Sequence, residues 1–178
     1  APNLWATLFI HCNFCRMGGF WPVQRPAPQL TRELIMPRPA PAHRTDFKFL
    51  SSLPTRWMDN DQYGHMNNVV HYSLFDTAVS NWQMAQGGFN VTGEVTKLMV
   101  VESGCRYFDE AGYPDLIHVG LRLGHLGNSS WRYDLGLFRN EIGTAFAEGF
   151  FAQVQVDAKS GRPTPVSPDM RAALEQLR

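Results

Sequence analysis

The stretch Arg56-Trp57-Met58-Asp59-Asn60-Asp61-Gln62-Tyr63-Gly64-His65-Met66-Asn67-Asn68 is the chain's most informative, placing two acids, a histidine and three asparagines within thirteen positions. Two acids stand at alternate positions, Gly64 permits a tight turn, and a pair of asparagines leads into an apolar-periodic run. The first N–H groups of a helix beginning there have no partner inside it and carry positive partial charge. Such a helix start binds an oxygen that becomes negative during reaction, and a carboxylate just upstream acts on the adjacent carbon. The arrangement suits attack on a carbonyl. Each residue also has a plainer reading. An Asp ahead of a helix is often a cap or turn former, Asp59 suits loop shaping or a pairing with Arg56, and Asn67 suits an N-cap.

Those residues need elements to hold them. Phe47 to Trp57 reads as a strand, with Phe47, Phe49 and Leu53 on one side at period two. Asp59 to Asn67 is a polar loop. A helix fits Asn68 to Gln86, where Leu74, Phe75, Ala78, Trp82 and Ala85 make one apolar stripe, and Gly87-Gly88 supplies a left-handed stop. Four strand-like segments follow, beginning at about Leu98 to Phe108. Leu116 to Leu123 alternates Ile117, Val119, Leu121 and Leu123 against His118, Gly120 and Arg122. The next alternates Trp131, Tyr133, Leu135 and Leu137, and the last carries Phe146, Phe150, Val154 and Val156 on one face. Short turns at Gly127-Asn128 and Asn140 to Gly143 imply antiparallel pairing. Pro168 to Leu177 predicts a short helix capped by Ser167.

With residues and elements together, the segment resembles the signature of the 4-hydroxybenzoyl-CoA thioesterase-like branch of the hotdog superfamily, in which Asp-x-Asp-x-x-Gly-His-x-Asn-Asn leads into the central helix. The match here is Asp59, Asp61, Gly64, His65, Asn67 and Asn68, followed by a helix containing Tyr72, and the likeness spans roughly residues 46 to 177. The resemblance implies an α+β hotdog fold: a curved antiparallel sheet of about five strands around one long helix. It implies hydrolysis of an acyl-CoA to free acid and coenzyme A. Asp61 would be the catalytic carboxylate, as nucleophile or general base, and the backbone N–H of Asn68 would polarise the carbonyl. His65 either contacts substrate or fixes the loop. The side chain of Asn67 caps the helix or faces substrate, and that of Asn68 orders a water or the carboxylate. Glu148 is a further acid to test. The resemblance also implies a homodimer or homotetramer with sites at the subunit interface. No metal or cofactor is expected, because coenzyme A arrives within the substrate. An acyl-carrier-protein thioesterase and a non-catalytic acyl-CoA binding protein stand as alternatives.

The bulk numbers narrow the class further. Hydrophobic residues make up 44% of the 178 and charged residues 18%, the balance of a packed globular chain. Sixteen basic residues offset sixteen acidic ones, which argues against a general nucleic-acid binder. Arg106, Arg122 and Arg132 are candidates for the nucleotide end of coenzyme A by charge alone. Cys12, Cys15 and Cys105 are too few for a disulfide framework, and Cys12-x-x-Cys15 beside His11 lacks the second ligand pair of a zinc site. Cys105 reads as a small buried residue. Leu4 to Ile10 is too short to span a bilayer. Residues 1–44, with Pro22, Pro26, Pro28, Pro37, Pro39 and Pro41, read as a loosely ordered extension to a domain at 45–178. The extension suits an organelle-targeting peptide, given Arg16, Arg25 and Arg32, or an over-long reading frame with Met17 or Met36 as the start. A cytoplasmic protein is otherwise the expectation.

Overall fold

A computed structural model describes residues 39–86 and 95–178. The Pro-rich extension before residue 39, the Cys12–Cys15 pair and the Gly87-Gly88 helix stop lie outside the described residues. Seven elements follow in chain order: β1 (Phe49–Pro54), α1 (Asn68–Ala85), β2 (Thr96–Tyr107), β3 (Leu116–Leu126), β4 (Ser130–Arg139), β5 (Ala147–Asp157) and α2 (Pro168–Glu175). The strands form one sheet in the order β1-β3-β4-β5-β2, every neighbouring pair antiparallel. Ala42 to Arg44 are already tied to it, through Ala145 N–H to Ala42 O and Arg44 N–H to Gly143 O.

Alternation in β3 and β4 builds the core. Ile117, Val119 and Leu121 stand beside Trp131, Tyr133, Leu135 and Leu137 on one face, all essentially without exposure. Against that face α1 lays His71, Leu74, Phe75, Ala78, Val79, Trp82 and Gln83. The buried stripe ends on Gln83 rather than Ala85, which is exposed. Among the buried polar groups, the Gln83 amide donates to Gln153 Oε1 at 2.8 Å and to the Tyr133 hydroxyl at 3.2 Å, so burial leaves it bonded.

Two expected faces are reversed. In β5 the helix side is Ala147, Gly149, Phe151 and Gln153, while Phe150 turns to the far face beneath the Arg132 guanidinium, 4.0 Å from its ring centroid. Of the residues expected together, Phe146, just ahead of β5, stays in the core beside α1, and Phe150 leaves it. The observed face fits because Phe75 presses where Gly149 has no side chain, and Gln153 meets Gln83. Phe47 likewise leaves the side of Phe49 and Leu53. It precedes β1 and packs on the outer face with Phe138 and Ala145, over Gly120 and Gly136.

A β-carbon at Gly149 would stand 2.5 Å from the Phe75 ring and 2.8 Å from Gly104 O. Gly149→Ala is expected to destabilise the fold by about 1–3 kcal/mol in urea unfolding. An unchanged midpoint would mean that α1 does not press this closely on β5.

Candidate active site

The loop between β1 and α1 is a miniature antiparallel hairpin. Asn67 N–H donates to Asp59 O at 2.9 Å, Asn60 bridges Met66, and Asp61 N–H donates to His65 O at 2.7 Å. Gly64 takes the tip at φ +83°, where a β-carbon would be strained. The base is locked by Asp59, whose side chain is only 4% exposed. It accepts Arg56 N–H at 2.6 Å, Nη2 at 2.7 Å and Nε at 3.1 Å. The Arg56 guanidinium holds this carboxyl below the usual range. Asp59 is thus the loop's anchor, as its spacing from Arg56 suggested. Met66, buried, donates its N–H to Ala111 O at 2.7 Å and plugs the loop into the core.

Asp61 lies two rungs above the anchor, roughly 7 Å at strand spacing. Its Oδ1 accepts the N–H groups of Tyr63 at 2.8 Å and His65 at 3.2 Å. Among the described residues nothing donates to its Oδ2. The His65 ring reaches Glu110 at 3.2 Å, which ties the hairpin tip to the β2–β3 connection. At the helix start, Asn67 is the N-cap: its side-chain oxygen accepts Val69 N–H at 3.1 Å. The N–H of Asn68, first residue of α1, donates to nothing among the described residues, and the first turn carries no acidic side chain to neutralise it. One short segment therefore brings a carboxylate and an unpaired helix-start amide to the same end of the sheet. Glu148, Arg106, Arg122 and Arg132 are elsewhere, on the opposite face. Glu148 accepts Ala42 N–H and pairs with no arginine among the described residues. Arg122 and Arg132 both reach Asp134, and Arg106, Arg132 and Glu148 line an open cavity of about 280 Å³.

The profile of the thioesterase-like superfamily matches residues 55–174, a span that begins just ahead of this loop and ends in α2. The chain belongs to the thioesterase-like superfamily. Among solved structures it is similar to the PA5185 protein of Pseudomonas aeruginosa PAO1, at 41% identity and a TM-score of 0.75 over 79% of this chain and 97% of that one. It is also similar to PA2801, a putative thioesterase of Pseudomonas aeruginosa, at 30% identity and a TM-score of 0.67 over 72% and 98% of the two chains. A thioesterase from Thermus thermophilus, solved with coenzyme A and zinc, matches at 26% identity and a TM-score of 0.62 over 74% and 95%. A search of curated proteins gave no match. The protein is a thioester hydrolase with the hotdog fold.

The thioesterase has one residue near the site that motif spacing passed over. His71 is 4% exposed, with Nδ1 3.2 Å from Asn67 O and its ring edge-on to Tyr107 and Phe146. A signal existed, since position 71 falls on the same helical stripe as Leu74, Phe75 and Ala78, but a polar residue in an apolar stripe reads as an interruption. Burial holds its pKa down, outweighing the backbone contacts with Asn67 and Asn68. Nearby, burial also raises the Cys105 thiol and pushes the Tyr107 phenol up to about 12. Among the described residues no three His, Cys, Asp or Glu side chains are grouped to hold a metal, and no helix is long and apolar enough to cross a membrane.

With its folded pKa depressed, His71 takes up a proton more readily in the unfolded chain, near the ordinary value of about 6.5. Its neutral state therefore costs nothing above that pH, and stability falls as pH drops below it. Unfolding free energies measured from pH 7.5 to 5 should decline more steeply for the wild type than for His71→Phe. Parallel curves would contradict the buried, neutral ring.

Proposed function

We propose that the protein hydrolyses an acyl-CoA to the free acid and coenzyme A at the junction of the Asp61 hairpin and the start of α1. The observation that carries this reading is an Asp61 carboxylate oxygen and an Asn68 N–H, both without partners among the described residues, at the two ends of one rigid loop. The thioester oxygen accepts from Asn68 N–H as charge builds on it, an interaction worth about 3 kcal/mol of barrier for donors of this kind. Asp61 then either attacks the carbonyl carbon, forming a mixed anhydride that water opens, or takes a proton from the attacking water. In both routes the tetrahedral intermediate collapses with loss of the coenzyme A thiolate. His65 and Asn67 flank the substrate, the first from the hairpin tip and the second from the cap.

Assembly follows from β2. This twelve-residue strand forms one edge of the sheet and exposes Met99, Val100 and Val101 along it. An unpaired apolar edge of that length is a template for another strand. A homodimer joined edge to edge, alone or doubled into a tetramer, covers it. Because Tyr107 at the end of β2 touches His71 in the first turn of α1, the partner would border the site.

A free-thiol assay across an acyl-CoA panel tests the chemistry. Asp61→Asn should lose about 100-fold or more in turnover with an unchanged melting temperature. Near-normal rates would remove Asp61 from the mechanism, and faster release from the same acyl group on acyl carrier protein would change the substrate class. Light scattering should give at least a dimer for the wild type and smaller species for Val101→Lys. An active wild-type monomer would contradict the edge pairing.

A further inference from the structure

The His71 ring has no part in that scheme, yet it touches the same peptide group. The amide joining Asn67 to Asn68 presents its carbonyl to the helix interior and its N–H outward. The carbonyl accepts Val70 N–H at 2.9 Å and faces His71 Nδ1 at 3.2 Å. A ring nitrogen at that distance from a carbonyl oxygen has to carry the proton, since two lone pairs would repel. His71 therefore carries a hydrogen on Nδ1. Its ring is held edge-on to Tyr107, with centroids 4.9 Å apart, and to Phe146, 5.8 Å apart, which keeps Nδ1 against the Asn67 carbonyl.

Hydrogen bonds along an amide reinforce one another. A donor at the carbonyl draws electron density toward oxygen and leaves the N–H of the same unit more positive. Burial of the ring strengthens this, because little water competes at the carbonyl side. We infer that His71 is a positioning residue of the reaction: its Nδ1–H fixes the plane of the Asn67–Asn68 peptide and polarises it, making Asn68 N–H a stronger donor to the thioester oxygen. This rests on the assignment of Asn68 as that donor. A residue that merely fills space between Tyr107 and Phe146 would need a ring there and no N–H.

Two variants separate the roles. His71→Phe keeps a ring and removes the donor, whereas His71→Asn places an amide N–H near the Nδ1 position and removes the ring. The expected result is a fall in kcat of about 3- to 10-fold for His71→Phe, smaller than deletion of an oxyanion donor, with KM within twofold and the protein folded by circular dichroism. His71→Asn should recover most of that loss while melting at a lower temperature. Packing alone gives the opposite order, an active Phe variant and a poor Asn variant, and that order would overturn the inference. The ligand-free amide NMR spectrum adds a readout independent of turnover: the Asn68 proton should move upfield in His71→Phe and return in His71→Asn. An unmoved resonance overturns the polarisation. A moved resonance with unchanged kcat overturns the role in the reaction and faults the Asn68 assignment, leaving the hydrogen bond standing.

Discussion

Everything at the site hangs on the bond from Asn67 N–H to Asp59 O, which closes the hairpin onto the start of the helix. That bond holds only while Asp59 stays put. Its carboxylate is almost fully buried, but the guanidinium that meets it has a side chain 66% exposed. The ion pair by itself then contributes little. More depends on Arg56 N–H, a backbone donor at 2.6 Å that cannot leave without unwinding the turn. An unsatisfied carboxylate in that position would cost several kcal/mol, so the turn, the carboxylate and the closure stand or fall together.

The closure has a chemical consequence. A helix leaves its first N–H groups without internal partners, and the protein satisfies them selectively. Asn67 Oδ1 serves Val69, and the Asn68 group one residue earlier has no partner among the described residues. With no acid in the first turn, the electropositive end of α1 is uncompensated from within. The same N-cap geometry that starts the helix thus leaves that amide free to meet a ligand oxygen. The sheet supplies the remaining requirement, a fixed axis for α1: Phe75, Ala78, Val79 and Trp82 are locked against β3, β4 and β5, so the helix start does not drift. Packing of this density transmits position well and tolerates little change in volume.

Local patterns were legible from sequence and non-local ones were not. The period-two runs of β3 and β4, the helix from Asn68, its Asn67 cap and the Arg56–Asp59 pairing all follow from neighbours within four residues. The face of β5 was misread because apolar content was weighed without knowing that Phe75 would need the space at Gly149. Phe47 was misplaced because its glycine bed, Gly120 and Gly136, lies more than seventy residues away. In the candidate site, residue types and order pointed to the segment that carries Asp61 and Asn68. The braces did not show: His65 to Glu110, Met66 to Ala111 and Asn60 to Tyr113 each cross some 45 to 53 residues. His71 was hidden by its company, since a histidine amid apolar neighbours gives no sign that it faces a particular carbonyl.

Hydrolysis at this site requires one contact to form when substrate binds. A crystal structure of the Asp61→Asn protein with a slowly hydrolysed acyl-CoA should place the thioester oxygen within about 3 Å of Asn68 N, with the carbonyl carbon facing residue 61. A thioester bound on the opposite face, among Arg106, Arg132 and Glu148, or turned so that its oxygen misses the start of α1, would contradict it.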